Sequence, residues 1–135
     1  MRRADWVAER VSWCLREVGL AAEVWPVLRR RHAVRKSAFA GAGGRPSVLE
    51  HSASFVVDPA VSGEMGLRLT LVDDVITRGR TLLAAAGRLR EAFPTAEVCA
   101  FALLRTINRD ETLFRVLDPC EGQVRWVAGD ARRIP

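Results

Sequence analysis

The stretch that decides the fold reads Arg68-Leu-Thr-Leu-Val-Asp-Asp-Val-Ile-Thr-Arg-Gly-Arg-Thr81. A short, mostly apolar run ends in two adjacent acids, Asp73 and Asp74, and a small loop with two threonines and a glycine follows. Apolar runs bounded in this way are typical of strands that are buried on both faces of a parallel sheet. A helical pattern begins directly after the loop. Amide N–H groups and the positive end of a helix dipole should therefore meet at the carboxyl edge of a sheet, where anions bind.

The residues after this stretch complete a strand–helix–strand unit. A helix is predicted over Thr81–Phe93, with Thr81 as its N-cap, Leu82, Ala85, Ala86, Leu89 and Phe93 on one face, and Pro94 as its stop. A second buried strand is predicted over Glu97–Leu104. Such a βαβ unit has parallel strands and a right-handed crossover. We therefore expect an α/β protein, a single domain over residues 1–135 with a mostly parallel sheet flanked by helices.

Weaker patterns predict the rest of the chain. They indicate a helix from about Trp6 to Val18 with an apolar stripe for the core or a dimer contact, a short edge strand over Ala22–Leu28, a strand over Ala53–Val57, and a strand over Gln123–Val127 before a frayed basic end. Arg29 to Glu50 has no sustained period and is rich in glycine, alanine and positive charge. It is predicted to be a long loop, and long loops in compact domains often act as functional lids.

Charge is distributed unevenly along the chain. The formal net charge is +5, Lys36 is the only lysine, and no acid occurs between Glu23 and Glu50. The basic residues of that interval are Arg29, Arg30, Arg31, Arg35, Lys36 and Arg45. This cluster is predicted either to contact a phosphorylated ligand or to form a patch that faces solvent or nucleic acid, and the sequence leaves these alternatives open.

Composition excludes several classes of protein. Apolar residues make up 49% of the chain, which is typical of a globular domain, and no run is long enough to span a bilayer. The N-terminal residues lack the apolar region of a signal peptide. The three cysteines have neither zinc nor disulfide spacing, so buried thiols in a reducing cytosol are expected. The chain is accordingly expected to be cytoplasmic and not attached to a membrane.

The segment Val72-Asp-Asp-Val-Ile-Thr-Arg-Gly-Arg-Thr81 resembles the phosphoribosyl-diphosphate (PRPP) motif of type I phosphoribosyltransferases. Within that family, the overall sequence is most similar to the ComF-like branch. Apolar residues, two acids and a Thr-x-Gly-x-Thr loop carry the resemblance, which extends more weakly from about Val24 to Thr106. Arg78 stands where the family usually has a hydroxyl or a small residue. Two other phosphate motifs, the Walker A loop and the dinucleotide pattern G-x-G-x-x-G, are absent from the sequence.

The resemblance implies a role for each part of the motif. Asp73 and Asp74 would hold the ribose hydroxyls of PRPP, directly or around Mg²⁺, as the catalytic and metal-binding acids. The loop Thr77, Arg78, Gly79, Arg80 and Thr81 would cradle the 5′-phosphate through backbone amides and hydroxyls. Arg31, Arg35 and Lys36 would supply charge to the diphosphate, as a flexible loop does in several family members. His51 is a lone histidine for which a structural role is favoured over a ligand-facing one.

The resemblance implies an enzyme of nucleotide metabolism. Its reaction would be the transfer of the phosphoribosyl group to a nitrogen base or amine, with release of diphosphate. A homodimer is implied as well. The family's earlier strand and diphosphate-gripping loop are not recognisable before the basic segment, so a shortened form and a partner chain that completes the site are both open. The alternatives are a non-catalytic sensor of PRPP or nucleotides, a nucleic-acid-binding protein, or one subunit of a split enzyme.

Overall fold

A computed structural model describes residues 7–34, 45–58, 68–107 and 118–134 of the chain. These residues form three helices and six strands, which confirms the predicted α/β class. The elements in chain order are α1 (Val7–Glu17), β1 (Leu28–Arg30), α2 (Val48–Ser54), β2 (Phe55–Val57), β3 (Arg68–Ile76), α3 (Arg80–Ala92), β4 (Glu97–Arg105), β5 (Gln123–Val127) and β6 (Asp130–Ile134).

The strand–helix–strand unit forms as predicted. β3 and β4 pair in parallel from Arg68 opposite Glu97 to Ile76 opposite Arg105, and α3 connects them. Leu89 of α3 and its C-cap Phe93 are buried, and half-buried apolar residues of both strands (Leu69, Leu71 and Val98) pack against them. The expectation that these strands are buried on both faces is wrong for β4, because Leu103 and Leu104 are 54% and 60% exposed. Within the described residues, α3 and α1 do not cover all of this two-stranded sheet.

The remaining strands do not extend that sheet. β1 pairs with β2 and β5 pairs with β6, in both cases antiparallel, so the described residues form three two-stranded sheets. The expected single, mostly parallel sheet is therefore not what they show. Ala128 and Gly129 join β5 to β6 with φ values of 50° and 83°. Positive φ at both central residues is the turn geometry that matches strand twist in two-residue hairpins, so the predicted frayed basic end is wrong.

The predicted long loop Arg29–Glu50 is wrong at both of its ends. It starts inside β1, and the predicted strand Ala22–Leu28 is wrong except for Leu28. It ends inside α2, where Ser47 forms a capping box: the Glu50 amide donates to Ser47 Oγ at 3.2 Å, and the Ser47 amide donates to Glu50 Oε2 at 2.7 Å. The Ser-x-x-Glu spacing is a known helix-start signal. Of the predicted strand Ala53–Val57, only the last three residues are extended.

The first helix forms within its predicted bounds but does not supply a core. α1 has no buried residue, and Val7 and Trp13 are 54% and 44% exposed, so its apolar stripe is not part of the core in the described part of the chain. The expected burial of the thiols is also wrong, because Cys14 and Cys120 are exposed and Cys99 is half-buried. In the ranges that the structure describes, no helix is both long and apolar enough to cross a membrane.

Candidate phosphate-binding cleft

The two acids of the central motif lie within β3 rather than after it. The strand continues to Ile76, with Asp73 opposite Ala102 of β4. Each carboxylate accepts a hydrogen bond from the next backbone amide: Asp74 N–H donates to Asp73 Oδ1 at 3.0 Å, and Val75 N–H donates to Asp74 Oδ1 at 2.8 Å. These local bonds use one oxygen of each side chain and fix its orientation at the carboxyl end of the strand.

Asp73 is held in an environment that disfavours its charge. Burial, together with the neighbouring Asp74 carboxyl, raises the pKa of Asp73 to about 6, against the opposing effects of the Asp74 amide and Arg30. The carboxylate is thus mostly ionised at neutral pH while only partly compensated by protein groups. Such an acceptor is suited to vicinal hydroxyl groups or to a hard cation, because either one would stabilise the charged form.

The loop after β3 leads directly into α3. The N-cap is Gly79, in the left-handed region with φ of 85°, and the helix starts at Arg80, so the predicted N-cap Thr81 is wrong. The first helical bond runs from the Leu83 amide to the Gly79 carbonyl at 2.9 Å. The amides of Arg80, Thr81 and Leu82 precede that bond and have no acceptor within the helix. An anion at this end of the helix would accept hydrogen bonds from these three amides.

A cleft of about 320 Å³ joins the acid to the loop. This volume lies within the range of small-molecule sites. Its lining comprises Arg45, Pro46, His51, Asp73, Val75, Ile76, Thr77, Arg78, Gly79, Arg80, Thr81 and Leu82. The structure therefore brings Asp73 together with all five predicted phosphate-loop residues. Asp74 and Arg31 are not part of the lining, and Arg35 and Lys36 lie outside the described residues.

The side chains of Arg78 and Arg80 turn toward the β5–β6 hairpin. Arg80 donates to both oxygens of Asp130, from Nε at 2.6 Å and from Nη2 at 2.5 Å, and its Nη1 donates to the Pro46 carbonyl at 3.2 Å. Arg78 Nη1 lies 3.3 Å from Asp130 Oδ2. Arg80 thereby ties together α3, the segment before α2 and the hairpin. Its contribution to the loop is its backbone amide, while its guanidinium fixes the walls of the cleft.

Replacing Asp130 with asparagine should loosen this tie. The bond to Arg80 lowers the pKa of Asp130 to about 2, so the carboxylate stabilises the fold above about pH 4, and this contribution is lost as the pH falls toward 2. Because the pair is partly exposed, we expect the free energy of unfolding at pH 7 to fall by about 1 kcal/mol. Urea unfolding at pH 7 and at pH 2 measures it, and the difference from wild type should shrink at pH 2.

Arg78 provides the matched comparison for that experiment. Its side chain is 63% exposed and makes a single contact with the same carboxylate. Arg78→Ala should therefore change the free energy of unfolding by less than about 0.5 kcal/mol, whereas Arg80→Ala should match or exceed the Asp130→Asn effect. If the two arginine variants lowered the free energy of unfolding equally, Arg80 would not be the residue that ties α3 to the hairpin.

Two residues on the α2 side of the cleft lie outside the predicted motif: one belongs to the basic segment predicted to supply charge to the diphosphate, and the other is the histidine for which a ligand-facing role is the less favoured prediction. Arg30, at the end of β1, is close enough to Asp73 for the two charges to influence each other, and His51 of α2 lines the cleft. Each lies far in sequence from the central motif. Arg30 was one arginine among several in a basic segment, and a lone histidine carries no spacing signal. The pairing of β1 with β2 is what places Arg30 beside α2.

The number and type of oxygen ligands that Asp73 and Asp74 offer decide whether they can bind Mg²⁺. In the part of the chain that the structure describes, no group of three or more His, Cys, Asp or Glu side chains could hold a metal ion. Mg²⁺ commonly keeps several waters and takes one or two carboxylates together with phosphate oxygens of its substrate. Asp73 lines the cleft and Asp74 is its neighbour within β3, so the pair fits a mode with one or two carboxylates and does not fit a site made of protein ligands alone.

Comparisons of this chain with protein-family models, with curated proteins and with solved structures returned no match.

Proposed function

We propose that the chain binds PRPP and transfers its phosphoribosyl group to a nitrogen base or amine, with release of diphosphate. The observation that supports this most is the cleft in which Asp73 and the Thr77–Thr81 loop share one lining at the N-terminus of α3. The motif that suggested PRPP needs an acid for the ribose and amides for the 5′-phosphate within reach of one ligand. The proposed fold is correspondingly that of a type I phosphoribosyltransferase in a single domain.

The proposed reaction breaks the bond between the anomeric carbon and the diphosphate oxygen, and forms a bond from that carbon to the acceptor nitrogen. The bonding electrons leave with diphosphate, and the acceptor nitrogen loses a proton to solvent. Asp73 orients the ribose through its hydroxyl groups, and the loop amides hold the 5′-phosphate, so the chain contributes mainly positioning. Mg²⁺, held by Asp73 and Asp74, would neutralise charge on the departing diphosphate.

Titration calorimetry with PRPP and Mg²⁺ tests the binding half of the proposal. Thr81 offers a matched pair, since Thr81→Ser keeps the hydroxyl and Thr81→Val removes it at nearly constant shape. A hydrogen bond to a charged group contributes about 1.5–3 kcal/mol, so Thr81→Val should bind PRPP about 10- to 100-fold more weakly, and Thr81→Ser should bind nearly as wild type does. No heat with the wild-type protein, or equal affinity of the two variants, would refute the site.

A homodimer remains part of the proposal. It is supported by the exposed apolar side chains of α1 and β4, among them Val7, Trp13, Leu103 and Leu104. Light scattering on the purified protein measures the oligomeric state directly. A partner chain that supplies the missing diphosphate loop would instead leave this protein monomeric when purified alone.

A second candidate is a non-catalytic sensor that binds PRPP or a nucleotide. The observation in its favour is that Arg78 and Arg80 are engaged by Asp130, while Arg31 is not part of the cleft lining. Of the arginines that line the cleft in the described part of the chain, this leaves Arg45 to neutralise charge on a departing diphosphate. The sensor binds PRPP without turnover, so diphosphate release with any nucleobase or amine eliminates it.

A further inference from the structure

His51 is nearly buried and still borders the cleft. The residue is only 8% exposed, yet it contributes to the lining together with Asp73 and the phosphate loop. It lies in the second turn of α2, whose start is fixed by the capping box at Ser47. A buried polar side chain at a ligand cleft is constrained in position. The groups around its two ring nitrogens therefore determine which nitrogen donates and which accepts a hydrogen bond.

One ring nitrogen is committed to the protein. Nδ1 of His51 lies 3.4 Å from Nη1 of Arg30. A guanidinium group only donates hydrogen bonds and does not lose its proton in proteins. The nitrogen that faces it must therefore accept, which places the single proton of the neutral ring on Nε2. The contact defines the tautomer of His51 and makes Nε2 a donor.

Arg30 is itself held firmly in this position. Its Nη1 donates to Ser54 Oγ at 2.8 Å, and its guanidinium carbon lies 4.3 Å from the centroid of the Phe55 ring. Ser54 is fully buried and donates to the His51 carbonyl at 2.6 Å. The tautomer thus depends on a small, closed network of α2 and its neighbours rather than on one long contact.

The surroundings also keep the imidazole neutral. Burial lowers the pKa of His51, and the positive charges of Arg30 and Arg80 lower it further, while Glu50 opposes them. Within the described part of the chain the structure gives Nε2 no protein partner. His51 lines the cleft, and an N–H group on its ring that the described residues do not use is a donor available to an acceptor atom of a ligand there.

We propose that His51 is a binding residue that donates its Nε2–H to an oxygen atom of the phosphorylated sugar in the cleft, and that Arg30 is the positioning residue that fixes its tautomer. The inference rests on the proposed function for the identity of the ligand. A donor with no acceptor capacity favours oxygen acceptors at this wall and disfavours groups that only donate, such as ammonium. His51 therefore contributes to ligand selection as well as to affinity.

Two substitutions separate this role from a purely structural one. His51→Gln keeps an amide donor at the position of Nε2 and loses the acceptor at Nδ1. His51→Asn keeps an acceptor at the position of Nδ1 and loses the distal donor. Calorimetry with PRPP and Mg²⁺ should show His51→Asn binding about 10- to 100-fold more weakly than wild type, and His51→Gln within about threefold of it. The reverse order, equal losses or no losses would each overturn the proposal.

Histidine ¹⁵N NMR gives an independent readout that a structural role would not produce. At pH 7 the free protein should show the Nε2-protonated tautomer for His51, and PRPP should shift the Nε2 resonance more than Nδ1. An Nδ1-protonated ring, or an Nε2 resonance that PRPP leaves unmoved, overturns the inference. Absence of PRPP binding by wild type would refute the proposed function and its ligand together. Normal wild-type binding with an unaffected His51→Asn variant would refute the His51 proposal alone.

Discussion

Asp73→Asn should weaken PRPP binding about 10- to 100-fold and at the same time make the protein more stable at neutral pH. The loss of affinity follows from removing a charged acceptor for the ribose hydroxyls, since such hydrogen bonds contribute about 1.5–3 kcal/mol. The gain in stability follows because burial raises the pKa of Asp73 to about 6. The native state therefore binds this proton more tightly than the unfolded chain does, and ionisation destabilises the fold.

The pH dependence of this effect has a definite sign. The unfolded carboxyl has a pKa near 3.8, so wild type loses stability through Asp73 as the pH rises from about 4 to about 6, and the full penalty remains above that. The asparagine variant lacks this slope. A fully buried group with the same shift would contribute roughly 3 kcal/mol, but Asp73 is half-buried, so we expect the variant to gain about 1 kcal/mol at pH 7.5.

Urea unfolding at pH 4, 5, 6 and 7.5 in the presence of a chelator measures the predicted difference. The free energy of unfolding of the variant should exceed that of wild type by an amount that grows up to about pH 6 and then levels off. Asp118→Asn, at an exposed position, changes the net charge equally and serves as the control. A variant that is less stable than wild type at pH 7.5 would contradict the prediction that the ionised Asp73 carboxylate destabilises the fold. Loss of function with gain of stability is a recognised signature of binding sites.

Gly79→Ala should be the most destabilising single-methyl change in the loop. Gly79 has φ of 85°, and a Cβ built on it would lie 2.6 Å from Cγ1 of Val124. The left-handed conformation costs a non-glycine residue about 1–2 kcal/mol, and overpacking adds about 1–3 kcal/mol. We expect the free energy of unfolding to fall by about 2–5 kcal/mol, measured by urea denaturation, and PRPP binding to weaken because the loop amides are displaced.

The same helix offers a matched control and a rescue. Gly87 is exposed in α3, and a Cβ there would meet nothing within 4 Å, so Gly87→Ala should stabilise the protein by about 1 kcal/mol. Adding Val124→Ala to Gly79→Ala removes the clash but keeps the backbone strain. The double variant should therefore be less destabilised than the sum of the two single variants. Simple additivity would show that Val124 does not restrict the loop.

The central part of the fold was predictable because its signals are local. β3 and β4 each carry a short apolar run and α3 carries a periodic apolar pattern, and the structure reproduces these elements to within a few residues. The N-cap was misassigned because Thr81 has the favoured side chain, whereas the position needs a positive φ that Gly79 alone in the loop adopts readily. The backbone conformation that the turn requires thus outweighed the side-chain preference for the N-cap position.

The walls of the cleft were less predictable because they depend on distant contacts. The hairpin turn at Ala128-Gly129 has a weak sequence signal, since alanine rarely takes a positive φ. The partner of Arg80 is Asp130, and no local pattern links the two. The network of Arg30, His51 and Ser54 likewise forms only when β1 and α2 are brought together. For such residues the sequence shows charge and position but not the contact.

The clamp between Arg80 and Asp130 also has a consequence for how the protein is made. The two residues are 50 positions apart in the chain. During synthesis the loop leaves the ribosome well before the hairpin that holds it, and closing a long segment is entropically slow compared with forming the helix beside it. The nascent chain thus carries α3 with an unsupported N-terminus for several seconds, at typical elongation rates of about 5–20 residues per second. Arg80 gains its Asp130 partner only once the hairpin has docked.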